Sequence, residues 1–118
     1  MINIKPIIFE SLQEHFENVC GEYPQDWAKF PVIQYSEEEN AIYTIVDGIE
    51  KHSLIRYKID IWDKKSTSEA ASTVNEVFFS CGFKRVGKVD VPDPSGLKHT
   101  VMRFEGIVDN DTLQVYKK

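Results

Sequence analysis

The stretch His52-Ser-Leu-Ile-Arg-Tyr-Lys-Ile-Asp-Ile-Trp62 has the most regular pattern of the chain. One alternating series is apolar and the other is polar: Ile55, Tyr57, Ile59 and Ile61 against Arg56, Lys58 and Asp60. Because successive side chains of a strand point to opposite faces, this alternation predicts a strand with one face on a core and the other in water.

Five further strands are predicted around this one from a period of two and from turn signals. They are Val32–Glu38, Ala41–Asp47, Phe83–Val91, His99–Val108 and Leu113–Tyr116. Asp47-Gly48 is a strong hairpin signal, since both residues tolerate the positive φ that a two-residue hairpin turn requires.

Two helices complete the predicted fold. Apolar residues recur at helical spacing over residues 4–20, and Gly21 is the expected stop. Ser66 and Glu69 have the spacing of a capping box, an apolar stripe follows, and Gly82 ends it. The predicted order is αβββαβββ in a single domain, 1–118. We expect an α+β two-layer sandwich, a mainly antiparallel sheet with two helices on one face.

Composition narrows the function classes. The 118 residues are 42% hydrophobic and 28% charged, which is typical of a soluble globular protein and not of a disordered one. The net charge is −5, with the negative charge concentrated in residues 1–60, so autonomous binding to duplex DNA is not expected. No apolar run approaches the roughly 20 residues that span a bilayer, and the first residues lack a secretory signal pattern. We therefore expect an intracellular protein without a membrane partner.

Residues that often carry chemistry lie apart in the sequence. His15, His52 and His99 have no metal-ligand spacing, and Ser95 lacks a GxSxG frame. Cys20 and Cys81 form no CxxC motif, and we expect both to be unpaired thiols. The sequence thus predicts no catalytic residue, no metal site and no cofactor, and a protein that is not an enzyme.

The segment Ala41-Ile-Tyr-Thr-Ile-Val46 is apolar on both faces of its predicted strand. A central strand covered on both sides explains this pattern, and so does an exposed face that meets another subunit. Under the second explanation, Tyr43 and Ile45 together with the turn residues Asp47 and Gly48 are candidate subunit-contact residues.

The run FPVIQYSEEENAIYTIVDGIEKHSLIRYKIDIWDKKS, followed by GFKRVGKVDVPDPSGLKHTVMRFEGIVD, resembles the small tail completion or tail terminator proteins of long-tailed bacteriophages and prophages. The shared features are a proline before the first strand, a strand ending in Ile-Asp-Ile-Trp, a helix closing on Gly-Phe, an Asp-Pro-Ser-Gly turn, and a Met-Arg-Phe strand. The similarity extends from about Ile4 to Asp111.

The resemblance implies an α+β fold and a structural role without catalysis. Such proteins form a ring, typically of six copies, on the last ring of tail tube subunits, and present a surface to the head connector protein. It implies a virion-tail location after assembly in the host cytoplasm. From the charge, six copies at −5 should repel DNA, which is then expected to pass through without specific binding. A small ring subunit can also be a monomer alone and assemble only on a tube end, where the template raises the effective concentration of its neighbours. From the residues themselves, we expect the basic stretch Lys84, Arg85 and Lys88 to supply a second contact patch, since a head-to-tail ring needs two different patches per subunit.

Two alternatives remain open at this point. The chain is alternatively a head-closure or connector component of the phage neck, which is similar in size and biology. A small bacterial ligand-binding module or enzyme is the third hypothesis, and it requires a pocket with convergent polar groups.

Overall fold

The computed structural model describes residues 1–116 as two helices and a mixed six-stranded sheet. Along the chain the elements are α1 Lys5–Gln13, β1 Asn18–Cys20, β2 Val32–Val46, β3 Ile49–Asp63, α2 Ser68–Ser80, β4 Lys84–Val91, β5 Lys98–Asp109 and β6 Val115–Tyr116. The strands lie in the order β1-β2-β3-β5-β4, with β6 beside β5. Among the strand pairs of these residues, only β1–β2 is parallel. The predicted α+β class and the mainly antiparallel sheet are confirmed.

Both helices pack on one face of the sheet. The buried residues of α1 and α2 belong to the same core cluster as Ile55, Tyr57, Ile59 and Ile61 of β3, which are fully buried. Phe78 of α2 stacks on Phe104 of β5, with ring centroids 4.4 Å apart. The apolar series of β3 therefore faces the core, as its alternation predicts.

The opposite face of β3 is less open than predicted. Arg56 and Lys58 are half-buried, but Asp60 and Trp62 are buried. Trp27, from the loop after β1, packs edge-on against Trp62 at 5.2 Å. That loop covers one end of a face that the alternation alone assigns to water.

The predicted assignment of the first four elements is wrong in two places, so the stated order is matched only in part. The helix predicted over residues 4–20 ends at Gln13, and Asn18–Cys20 form the short strand β1. Helical spacing continues past this end because Phe16, which is 9% exposed, and Val19 also pack against the core. The strands predicted at 32–38 and 41–47 are one continuous strand, β2, because a β-bulge between Glu37 and Glu39 absorbs the irregular stretch.

The predicted capping box is also wrong. Thr67 is the N-cap residue of α2 and makes no side-chain capping bond. Its hydroxyl lies 2.5 Å from that of Thr100 on β5, while Ser66 Oγ accepts a bond from the Ser68 N–H. The C-terminal end is as predicted: Phe83 N–H donates to the Phe78 carbonyl, and Gly82 has φ +96. A Cβ at Gly82 would lie 2.7 Å from the Val115 carbonyl oxygen, so only glycine fits.

The molecule is elongated, with principal extents of 52 × 22 × 22 Å. The β2–β3 ladder runs from Val32↔Trp62 to Val46↔Ile49, whereas β5 pairs with β3 only as far as His52↔Asp109. The last residues of the hairpin therefore extend beyond the neighbouring strand. Neither helix of residues 1–116 has the combination of length and hydropathy that crossing a bilayer requires.

Candidate functional site

The hairpin tip, residues 42–49, carries a concentration of exposed apolar side chains. Of the thirteen large hydrophobic side chains exposed in residues 1–116, these eight positions hold five. Their exposed fractions are 58% for Ile42, 49% for Tyr43, 61% for Ile45, 52% for Val46 and 70% for Ile49. Apolar side chains grouped in this way, and not scattered singly, are typical of interaction surfaces.

Four of the sequence-predicted residues lie in this tip. Tyr43 and Ile45 are exposed on β2, so the alternative of a central strand covered on both sides is wrong. Asp47 and Gly48 form the turn with φ +52 and +76, as the hairpin signal predicts. Register shifts on either side of Thr44 interrupt the regular alternation of β2 at this point.

A polar network anchors the base of the tip to the end of β5. Asp109 accepts backbone N–H bonds from Asp111 and Thr112 at 2.9 and 3.0 Å, and Lys51 Nζ lies 3.3 Å from its carboxylate. The N–H groups of Thr112 and Asp111, followed by Lys51, lower the pKa of Asp109 to about 2. His52 Nε2 lies 3.6 Å from the same carboxylate.

Two more contacts tie the same region together. Thr44 Oγ1 and His52 Nδ1 are 2.6 Å apart, which links the two strands of the hairpin. Ser53 is fully buried, and its hydroxyl lies 2.6 Å from Glu50 and 2.7 Å from Asn110. The tip is thus an apolar surface held on a well-bonded base.

The other predicted residues, Lys84, Arg85 and Lys88, lie on β4 at the far edge of the sheet. All three are exposed. Arg85 Nη1 donates to Asn75 at 2.8 Å, and Lys88 Nζ lies 3.6 Å from Asp90. The structure does not bring these residues to the hairpin tip, since β3 and β5 lie between β2 and β4. The predicted contact residues form two separate patches.

Sequence reasoning missed two features of these edges. Val86 and Val89 are 43% and 52% exposed on β4, so that patch is apolar as well as basic. Three consecutive glutamates, Glu37 to Glu39, lie inside β2 and not beside a hairpin turn, and Glu38 accepts a bond from Arg103 Nε at 3.0 Å. The available signal for this longer strand was that residues 34–43 contain no glycine or proline to end it.

One cluster of chemistry-bearing groups lies away from both patches. His99 stacks on Trp62 with centroids 4.4 Å apart, and its Nε2 lies 3.0 Å from Asp60. Ser95 Oγ donates to Asp93, and Asp93 lies 3.7 Å from His99 Nδ1. In a Ser-His-Asp triad the serine bonds to the imidazole, whereas here the carboxylate lies between the two. The Ser95 hydroxyl therefore bonds to a carboxylate of its own turn and not to the imidazole.

The cysteines, the possible metal ligands and a surface depression are the remaining candidate sites. Cys20 and Cys81 are free, as predicted, and burial raises the pKa of the Cys20 thiol. Within the described part of the chain, no three His, Cys, Asp or Glu side chains are grouped to hold a metal ion. An open depression of about 520 Å³ lies between the start of α2 and the loop that contains Asp93.

No protein-family model matches the chain, and no curated protein matches its sequence.

Proposed function

We propose that this chain is a non-enzymatic structural protein of a phage or prophage tail, which caps the tail tube as a ring and joins it to the head connector. The observation that carries the proposal is the hairpin tip, where five large apolar side chains are exposed on an anchored base. The sequence resemblance supplies the biological setting, and the tip supplies a surface suited to assembly. A chain that works alone gains nothing from keeping such a surface in water.

The positions of the two patches suit a ring. A head-to-tail ring requires each subunit to present two different surfaces, on sides that face its two neighbours. The hairpin tip on β2 and the basic patch on β4 lie at opposite edges of one sheet. Six copies of charge −5 give the ring a total of about −30, which disfavours adhesion of DNA passing through it.

The test is tail completion with Tyr43→Asp or Ile45→Asp. A carboxylate at the tip would have to be desolvated at a subunit contact, so we expect each variant to abolish tail completion while its melting temperature stays close to that of the wild type. Ile7→Asp is the matched control, because Ile7 is 41% exposed but lies on α1, where an acid in the first turn is tolerated. Normal completion by a folded tip variant would contradict the proposal.

A second experiment separates the tail role from a head-closure role. Headless tails and tailless heads are purified from an infected or induced host, and this chain is detected in each by mass spectrometry. The proposal expects the chain in the finished headless tails. Its presence only on tailless heads would favour the connector alternative.

A further inference from the structure

The sheet has two edges that no strand of residues 1–116 covers. On β2, β1 pairs only with Val32 to Gln34, which leaves the outer side of residues 35–46 without a strand partner. On β4, the inner side pairs with β5, and the outer side of residues 85–91 is paired with no other strand of residues 1–116. Unpaired N–H and C=O groups of such edges are templates for another strand.

The directions of the strands make these two edges compatible. β2 is antiparallel to β3, β3 to β5, and β5 to β4, so β2 and β4 run in opposite directions. When a second copy is placed beside the first in the same orientation, its β2 therefore meets β4 of the first copy as an antiparallel neighbour. This is the pairing that all the long ladders of the sheet already use.

The side chains of the two edges are complementary. Residues 32–46 contain three glutamates and no Lys or Arg, whereas β4 contains Lys84, Arg85 and Lys88 and one acid, Asp90. Both edges also expose apolar side chains, Val86 and Val89 on β4 and the hairpin tip on β2. Pairing β4 with β2 places opposite charges side by side. A symmetric dimer through β4 or through β2 would place like charges together, which is unfavourable.

Bulges in both edges restrict which strand can pair with them. β2 is irregular after Glu37 and around Thr44, and β4 between Arg85 and Gly87. Bulges and charges on edge strands hinder unspecific edge-to-edge association. A ring that joins each β4 to the next β2 also leaves neither edge open, whereas a symmetric dimer would leave one edge of each copy exposed.

We infer that neighbouring copies of this chain extend one sheet across the subunit boundary, with the outer edge of β4 in one copy paired antiparallel to the outer edge of β2 in the next. This inference rests on the ring of the proposed function and specifies its contact. The partner is a second copy of this chain, and the recognition combines backbone hydrogen bonds with opposite charges.

Two charge-reversal variants test the pairing. The β4 variant carries Arg85→Glu and Lys88→Glu, and the β2 variant carries Glu38→Lys and Glu39→Lys. Each variant alone has like charges on both edges, and we expect its self-association to be weaker by tenfold or more. In an equimolar mixture, each β4 edge again faces a β2 edge of opposite charge, so association should return through alternating copies.

The measurement is the molar mass of the purified chains by light scattering at about 1 mM, the order of effective concentration that a short flexible link between two binding sites gives. Amide hydrogen exchange of residues 35–46 and 84–91 is followed in the same samples, since backbone pairing slows exchange at both edges together. Lys64→Glu with Lys65→Glu, and Glu10→Lys with Glu14→Lys, are the controls with the same charge changes outside the two edges.

The results separate this inference from the proposed function. Equal association by wild type and both variants, no recovery in the mixture, or fast exchange at both edges in the wild type at this concentration would each overturn the edge pairing. Tail completion by either variant alone would overturn it too, without contradicting a tail role. A host whose tails lack this chain would overturn the proposed function, while slow exchange and recovery in the mixture would still establish the pairing.

Discussion

The two ends of the β2–β3 ladder have similar apolar content but opposite environments. At the base, Ile59 and Ile61 are fully buried under the helices. At the tip, Ile45 and Ile49 are 61% and 70% exposed. One hairpin thus contains a core strand pair and an exposed apolar surface, separated by the polar network around Asp109.

The difference between the two ends follows from the lengths of the two helices that cover the sheet. α1 and α2 contain nine and thirteen residues, about 14 and 20 Å of helix, and the molecule is 52 Å long. The helices therefore cover one part of the sheet, and the strands continue past them. Apolar residues beyond that cover add little to the stability of the isolated chain, which is why we assign them to assembly.

The largest expected effect comes from truncating the same residue type at each end. Ile59→Ala leaves a cavity in the core, and we expect it to lower the free energy of unfolding by about 2–5 kcal/mol. Ile45→Ala removes the same atoms from an exposed position, and we expect a change within about 0.5 kcal/mol. Urea denaturation of both variants measures the pair. Equal losses would show that the tip is part of the cooperative core and would break the comparison.

The base of the ladder was predictable from sequence because its pattern has one cause. The apolar series from Ile55 to Ile61 lies under the helices, and the apolar stripe of α2 packs in the same core. The turn at Asp47-Gly48 was predictable because positive φ limits the residues that fit. Each of these signals is local, and the fold agrees with it.

The rest depended on contacts distant in sequence. Thr67 lacks a capping bond because its hydroxyl meets Thr100, a partner 33 residues away. Residues 18–20 become a strand because β2 offers an edge, and Asn18 also donates to the carbonyls of Asp26 and Lys29. Whether the run from Ala41 to Val46 is covered depends on where the helices end. The sequence alone left that choice open.

The contribution of Asp109, between the two ends of the ladder, to the stability of the fold should depend on pH. The pKa of Asp109 lies near 2 in the folded chain, below its ordinary 3.8, because N–H groups and Lys51 stabilise the carboxylate. A lowered folded-state pKa contributes stability that is present above the ordinary pKa and is lost as the pH falls toward 2. Asp109→Asn keeps an acceptor oxygen but removes the charge, so we expect the variant to be less stable at pH 5 and to approach the wild type at pH 2.

Urea denaturation at pH 5, 3 and 2 checks this expectation. Asp111→Asn is the control, since it removes the other carboxylate that contacts Lys51 but leaves the acceptor of the turn's N–H groups in place. We expect the control to change the acid dependence less than Asp109→Asn does. The stability difference between Asp109→Asn and the wild type could also stay constant from pH 5 to pH 2. That result would show that the charge of Asp109 does not cause the difference.

The smallest expected effect is a gain in stability at the buried end. The hydroxyl of Tyr57 is buried and has no hydrogen-bond partner within residues 1–116. Burial, followed by the nearby Glu37 carboxylate and Tyr35, raises the pKa of Tyr57. Because an unsatisfied buried hydroxyl is unfavourable, we expect Tyr57→Phe to raise the free energy of unfolding by about 1 kcal/mol, or roughly 4 °C in melting temperature.

The same deletion at the exposed end is the matched control for Tyr57→Phe. Tyr43 is 49% exposed, its hydroxyl can bond to water, and Tyr43→Phe should leave the melting temperature unchanged. The pH dependence adds a second check. A raised folded-state pKa means that the stability of the wild type falls as the pH rises past the ordinary value near 10. The phenyl ring of the variant cannot ionise, so the advantage of Tyr57→Phe should widen there. Thermal melts at pH 7 and pH 10.5 measure both effects. A loss of stability at pH 7 would mean that the hydroxyl is satisfied in solution, and the core around Tyr57 would then contain a bonding partner for it.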